Sequence, residues 1–353
     1  MIAARWARSA VGHVVVLLAV ALPAFVAGAS LDAPVAALEW ERLESAALGP
    51  VTFANLFVES FAPPIDAPGT PLDQVARWVL PARFAQFLGV LACSMLGYLI
   101  GMLANGRAFA IAGCVLFACL PPVAMHGHVL RPDTATLMLQ LSAVLLLQLL
   151  AMGRMPAAAG IRRSTSLALG ATAALCVGAS VSSSGGSGAM LLATGGLFLL
   201  AALLTGQRMW RAFQRRSIAA LPSRAATSRM WPWAFVAMAS LFAAATLLGS
   251  GRARGAGLAM SSNLLPESWL LAAPMCALAL LGAIRSVVRA GRGIGSRGRP
   301  GPDTALFAYA AAMLLTNAMG RDADALVSAL PLSWLLADGV AYLALLVAAR
   351  RSR

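Results

Sequence analysis

Long apolar runs, separated by short polar stretches, make up most of the chain. An uncharged run of about 17 to 25 residues is long enough to cross the hydrocarbon core of a bilayer as a helix. Ten runs approach or meet this length, and they predict an all-α polytopic integral membrane protein with about ten transmembrane helices. The predicted spans are residues 11–29, 84–104, 108–125, 135–153, 165–182, 188–206, 232–250, 268–288, 304–320 and 332–349.

Composition and charge agree with this class and predict its orientation. Hydrophobic residues make up 60% of the chain and charged residues 11%, whereas about a quarter of a soluble domain is charged. A soluble cytosolic enzyme is therefore excluded. The net charge of +14 suggests a nucleic-acid partner, but the 27 basic residues are all arginines and lie mostly between the apolar runs. We therefore expect membrane lipids, and no nucleic acid, as partners.

The side on which the arginines lie sets the predicted topology. If the N-terminus is inside, twenty of the 27 arginines fall on the inner side and eleven of the thirteen acids on the outer side. Basic residues accumulate on the cytoplasmic side of membrane proteins. We therefore predict a multi-pass protein of the bacterial inner (plasma) membrane with both termini in the cytoplasm. The alternative for the first span is a signal peptide cleaved near residues 27–29.

The longest loop, residues 30–80, is predicted to be periplasmic or extracellular and to have internal order. Apolar residues recur at three- and four-residue spacing over 34–47, directly after Asp32, which is placed to cap a helix. This pattern predicts a short amphipathic helix on the membrane surface. The prolines that follow predict an extended or turning segment, and they are Pro63, Pro64, Pro68 and Pro71.

Polar residues at the outer ends of the first four spans form the candidate site. Asp32 follows the first span, Arg83 opens the second, and His128, Arg131 and Asp133 lie between the third and the fourth. The predicted topology places all of them at one membrane level. They are therefore expected to surround one outward-facing cavity.

The chemistry of these side chains suggests phosphate binding and proton transfer. A guanidinium group binds phosphate through paired N–H groups, so Arg83 and Arg131 are candidate phosphate ligands, with Asp133 and His128 as further substrate-binding residues. Asp32 is a candidate general base for a hydroxyl group. Each has a structural alternative: Asp32 and Asp133 as helix caps, and Arg83 as an interfacial anchor. No Walker lysine, HExxH or CxxC motif is present, and no set of metal ligands is predicted.

The order of these features resembles a known family. Asp32 after the first span, the helix at 34–47, the pair Pro63-Pro64, Ala82-Arg83-Phe84-Ala85 at the start of the second span, and Arg131-Pro132-Asp133 before the fourth follow one another along the chain. This order is similar to that of the GT-C superfamily of membrane glycosyltransferases, which includes protein O-mannosyltransferase-like and aminoarabinose-transferase-like enzymes. The resemblance covers about residues 1–206, the predicted membrane core. Residues 207–353 are predicted to form a C-terminal bundle of spans seven to ten, without a separate soluble domain.

The resemblance implies an inverting glycosyltransferase. A sugar would pass from a polyprenyl-phosphate carrier to an acceptor hydroxyl on the outer face, with Asp32 as base and Arg83 and Arg131 near the phosphate. No cofactor is required, although some relatives use a divalent cation. The implied partners are a lipid-linked sugar donor and an acceptor that is a lipid, a glycan or a protein.

Two alternatives to a transferase stay open. Ala33 stands where the family usually has a second acid, and Ser183-Ser184 where many relatives have a lysine, so a non-catalytic scaffold related to the family is one alternative. The other is a transporter that uses Asp338, an acid in the middle of the last span, because acids inside the membrane are costly and usually face a cavity or a partner. Gly339 beside it favours close helix packing instead.

Overall fold

The computed structural model describes helices and the short turns that join some of them. The described residues are 2–29, 71–126, 133–152, 168–179, 190–200, 203, 236–238, 269–297, 302–318 and 325–351. The helices are α1 (Ile2–Gly28), α2 (Pro71–Asn105), α3 (Arg107–Cys119), α4 (Pro121–His126), α5 (Asp133–Met152), α6 (Ala168–Ala179), α7 (Met190–Leu200), α8 (Trp269–Arg297), α9 (Pro302–Ala318) and α10 (Ala325–Arg351). These residues contain no strand, so the all-α prediction is confirmed for them.

Three helices in the described part of the chain are long and apolar enough to cross a membrane. The apolar stretches are Gln86–Asn105 in α2, Leu270–Arg292 in α8 and Ser328–Ala348 in α10. Shorter apolar helices occupy five further predicted spans. The membrane-protein class therefore fits the structure, whereas the count of ten spans stays a prediction. The predicted surface helix at 34–47 lies outside the described residues.

The buried core lies between α2, α3, α5, α9 and α10. Aromatic and aliphatic side chains from these helices fill it, among them Ile100, Phe117, Leu141, Tyr309 and Trp334. Helix α1 packs against α2 and α3, and α8 packs along α10. Many large apolar side chains on the outside of the bundle are exposed, as expected for helices that face lipid.

One glycine joins α2 to α3. Gly106 has φ +88°, a region that side chains with a β-carbon rarely adopt. Its N–H donates to the carbonyl of Met102, and its own carbonyl accepts from the N–H of Ala110. The chain therefore leaves α2 and enters α3 within one residue, so the end of α2 and the start of α3 lie at one level.

Proline explains two differences from the predicted spans. The single predicted span 108–125 is broken at Leu120, which is extended (φ −78°, ψ 137°), because the residue before a proline avoids the helical region and Pro121 provides no N–H. At the other helix, Pro71 begins α2 well before the predicted start at residue 84, so the prediction of an extended or turning segment is wrong for Pro71. Proline is tolerated in the first turn of a helix, because the N–H groups of that turn have no hydrogen-bond partner within the helix.

Helices α8 and α10 approach each other most closely at two glycines. A β-carbon added to Gly282 would overlap the carbonyl oxygen of Leu335, and one added to Gly339 would overlap the carbonyl oxygen of Leu278. Glycine allows two backbones to come this close, as is common where membrane helices pack. The close packing expected at Gly339 is therefore present.

We predict that Gly339→Leu separates α8 from α10. A leucine side chain has no space there, so the free energy of unfolding should fall by at least about 1–3 kcal/mol, measured as a lower midpoint of thermal unfolding of the purified protein in detergent. Gly196→Leu is the matched control, since a β-carbon at Gly196 meets nothing within 4 Å. Equal midpoints for the two variants would show that the glycine contact does not hold the helices together.

Candidate functional site

Helix α2 buries an arginine near the start of its apolar stretch. Arg83 is only 2% exposed, whereas its neighbour Phe84 is 52% exposed. Phe84 stacks on Phe87 one turn along the helix, with ring centroids 5.9 Å apart. The helix thus turns the guanidinium group of Arg83 into the bundle and an aromatic surface outwards. A buried charge of this kind is costly in a membrane protein and marks a candidate functional site.

The first turn of α5 lies against α2 beside Arg83. The Gln86 side-chain amide donates to the hydroxyl oxygen of Thr134, and the thiol of Cys93 lies 3.7 Å from the Thr134 carbonyl oxygen. Gly89 leaves room for the Thr134 methyl group, because a β-carbon there would lie 2.6 Å from it. Arg83 precedes Gln86 by three residues, about 4.5 Å of helix rise. The start of α5 is therefore about one helical turn from Arg83 along α2.

The structure describes part of the predicted outer site. Asp133 is the first residue of α5, so its backbone lies where the start of α5 meets α2. Its side chain is outside the described part of the chain. Asp32, His128 and Arg131 lie outside the described residues altogether. The structure thus brings the positions of Arg83 and Asp133 into one neighbourhood, and the outward-facing cavity around all five residues stays a prediction.

A buried polar face on α5 links α2 to α9. The Tyr309 hydroxyl donates to the Gln140 side-chain oxygen at 2.9 Å. Two turns further along α5, the Gln148 amide donates to the backbone oxygens of Ile100 at 3.3 Å and Pro302 at 3.2 Å. Both glutamines are fully buried. Buried hydrogen bonds between helices fix how the helices align, so these contacts set the register of α5 against α2 and α9.

The second charged cluster surrounds Asp338 on α10. Its Oδ1 lies 3.2 Å from Nη2 of Arg289 and 3.8 Å from Nη1 of Arg285. The Ser286 hydroxyl donates to its Oδ2 at 2.6 Å, and Arg285 also donates to its backbone oxygen at 3.1 Å. The Asp338 side chain is 4% exposed. Asp338, in the middle of the apolar stretch of α10, is therefore held by three residues of α8.

A pocket opens beside this cluster. It is small and lies between the end of α2, the start of α3, and helices α8, α9 and α10. Asp338 and Arg289 form one wall, and Asp303, from the first turn of α9, lies on another. Asn105 and aromatic rings complete the lining. The pocket therefore combines charges of both signs with an apolar surface.

Sequence analysis found Asp338 but missed its partners. Arg285 and Arg289 are two of the twenty arginines that the predicted topology places inside, at the inner end of the eighth span, and the sequence analysis gives them no other role. Their spacing of four residues puts both on one face of a helix, and an acid in the middle of a span requires a partner. Together these two signals make Arg285 and Arg289 candidate partners of Asp338. Only the close approach of α8 and α10 shows that the partners come from α8.

The described residues contain no group of three or more His, Cys, Asp or Glu side chains placed to hold a metal ion. A scan against protein-family models, a search of curated proteins and a search of solved structures each found no match. The resemblance to the GT-C superfamily therefore rests on the residues of the chain.

We predict an energetic coupling between Arg289 and Asp338. Arg289→Gln takes one of two arginines from the buried carboxylate of Asp338, and Asp338→Asn takes the carboxylate from Arg289. Once one partner is lost, changing the other costs less, so the destabilisations of the two single variants should add up to more than that of the double variant. A double-mutant cycle of unfolding free energies in detergent should give a coupling of about 0.5–3 kcal/mol. Arg292→Gln on the exposed face of the same helix is the control. Additive effects would mean that the ion pair contributes nothing to the fold.

Proposed function

We propose that this protein is a GT-C-like membrane glycosyltransferase with about ten spans, both termini in the cytoplasm of a bacterium and the loop 30–80 on the outer face. It moves a sugar from a polyprenyl-phosphate carrier to an acceptor hydroxyl. The observation that carries the proposal is the buried Arg83 of α2 beside the first turn of α5. This is where the resemblance expects the donor phosphate.

The surroundings of Arg83 suit a lipid phosphate. A guanidinium group matches phosphate in charge and in the geometry of its N–H donors. Away from water, the attraction between the two charges is much stronger than at an exposed surface. The exposed ring of Phe84, which stacks on Phe87, offers an apolar surface on the same turn of α2, along which a polyprenyl chain lies while its phosphate reaches inwards.

The proposed reaction is a single displacement. Asp32 takes the proton of the acceptor hydroxyl, whose oxygen forms a bond to the anomeric carbon of the sugar. The bond between that carbon and the phosphate oxygen breaks on the opposite side, and polyprenyl phosphate leaves with the electron pair. Arg83 and Arg131 stabilise the charge on the leaving phosphate, and His128 and Asp133 position the substrate. No cofactor enters these steps.

The contacts of Asp338 bear on the transporter alternative. A carboxylate that carries protons or ions through a membrane must exchange its partners during transport. Asp338 already has two arginines and a serine from α8 around it. This arrangement favours a fixed ion pair at Asp338, and we therefore prefer the transferase.

We predict that Arg83→Gln weakens phosphate binding. Farnesyl phosphate, a short polyprenyl phosphate, should bind to the purified protein at least tenfold more weakly after the substitution, because the amide lacks the positive charge. Calorimetric titration measures the affinity, and farnesol, which has no phosphate, should bind the two proteins equally. Arg107→Gln is the control: this arginine lies on α3, where it donates to the backbone oxygen of Gly12, away from the proposed site.

The same variants separate binding from catalysis. With polyprenyl-phosphate-linked sugars as donors, Asp32→Asn should abolish release of polyprenyl phosphate and leave farnesyl phosphate binding unchanged. The proposal is contradicted if Arg83→Gln binds farnesyl phosphate as tightly as the unaltered protein, or if Asp32→Asn retains full activity.

A further inference from the structure

Two buried atoms of the ion pair beside the pocket lack hydrogen bonds. Oδ1 of Asp338 and Nη1 of Arg289 are shielded from solvent and have no hydrogen-bond partner among the described residues. Oδ1 is an acceptor and Nη1 is a donor. Buried polar atoms of native proteins are nearly always satisfied, either by other protein groups or by bound water. A ligand that satisfies both atoms must therefore both donate and accept hydrogen bonds.

The two atoms are close enough for one small molecule to bridge them. Oδ1 of Asp338 lies 3.2 Å from Nη2 of Arg289, and the two terminal nitrogens of a guanidinium group are about 2.3 Å apart. Nη1 of Arg289 is therefore at most about 5.5 Å from Oδ1. Two hydrogen bonds of about 2.8 Å that share one central atom span this distance. A single oxygen atom between Nη1 and Oδ1 thus reaches both.

The pocket has room for a ligand of this size and for little more. Its cavity volume is about 20 Å³, and one water molecule needs about 10–15 Å³ of such space. Asp338 and Arg289 both line the pocket, together with the polar residues Asn105, Ser286 and Asp303. A buried water molecule makes about three hydrogen bonds. The lining therefore supplies enough polar groups for one water molecule, and a lipid headgroup or a sugar is too large.

Charge and hydrogen bonding exclude a simple ion. A metal cation accepts no hydrogen bond, so it would leave Nη1 of Arg289 unsatisfied and be repelled by that guanidinium group. A halide donates no hydrogen bond, so it would leave Oδ1 of Asp338 unsatisfied. It would also lie beside the carboxylates of Asp303 and Asp338, which both line the pocket. Water is neutral, and it donates and accepts from the same oxygen atom.

We propose that this pocket binds one water molecule that bridges α8 and α10. The water oxygen accepts a hydrogen bond from Nη1 of Arg289, and one of its O–H groups donates to Oδ1 of Asp338. The bound water completes the hydrogen bonding of the ion pair and makes it a fixed link between the two helices. This site is separate from the one around Arg83 and does not rest on the transferase proposal.

A structure of the protein in detergent, at a resolution that shows ordered water, tests the proposal directly. We expect one density peak at about 2.7–3.0 Å from both Nη1 of Arg289 and Oδ1 of Asp338. The peak should give no anomalous signal after rubidium or bromide salts replace those of the buffer. An empty pocket, a direct hydrogen bond between Nη1 and Oδ1, or an anomalous signal from the pocket would overturn the proposal.

Radiolytic labelling of the protein in detergent gives an independent test. Hydroxyl radicals that form from a bound water molecule oxidise the side chains next to it. Trp334 lines the pocket, whereas Met313 on α9 does not, and both side chains belong to residues that are only 2% exposed. We expect oxidation of Trp334 and none of Met313, although methionine is the more reactive of the two. Absence of oxidation at Trp334, or equal oxidation of the two residues, would overturn the assignment of water to this pocket.

A matched pair of variants locates the water. Ala310 lines the pocket and Ala312 on the same helix does not, and both are buried. Ala310→Val should abolish the oxidation of Trp334, because its two additional methyl groups occupy the space of the water. Ala312→Val makes the same change elsewhere in the core and should retain the oxidation. Equal labelling of Trp334 in the two variants would overturn the proposal, and the structure of the unaltered protein decides it if Ala310→Val does not fold.

Discussion

The close approach of α8 and α10 at Gly282 and Gly339 determines where the charges around Asp338 lie. A larger side chain at either glycine would meet the backbone of the opposite helix. With the helices this close, Ser286 reaches the carboxylate of Asp338 and Arg289 lies within ion-pair distance of it. A charge inside a membrane protein is tolerated when it has such partners. The packing of two glycines thus allows an acid in the middle of an apolar helix.

A second charged residue is buried at the other end of the bundle, where Arg83 lies on α2. Between the two charged regions, α5 presents a fully buried polar face: Gln140 bonds to Tyr309, and Gln148 bonds to the backbones of α2 and α9. Hydrogen bonds of this kind restrict sliding of one helix along another, because a shifted helix would lose them. Helix α5 therefore fixes the distance between the region of Arg83 and the pocket beside Asp338.

The apolar runs were sufficient to predict helices, because a bilayer leaves few structures other than a helix for an uncharged run of this length. They did not predict the break at Leu120 or the start of α2 at Pro71, since hydropathy does not register a missing N–H group. Arg83 was identified from its place at the start of a span, but its burial results from the packing of helices that are distant in sequence. The partners of Asp338 come from a helix about 50 residues away in sequence, and spacing along one helix does not reveal such a pairing.

The proposed transferase site depends on the predicted arrangement in the membrane, which places Arg83 at the outer face. The most direct test is a series of alkaline phosphatase fusions in a bacterium, joined after residues 70, 220 and 353. The phosphatase is active only outside the cytoplasm. The account predicts high activity for the fusion after residue 70 and none for the other two. An inactive fusion after residue 70, or an active one after 220 or 353, would contradict it.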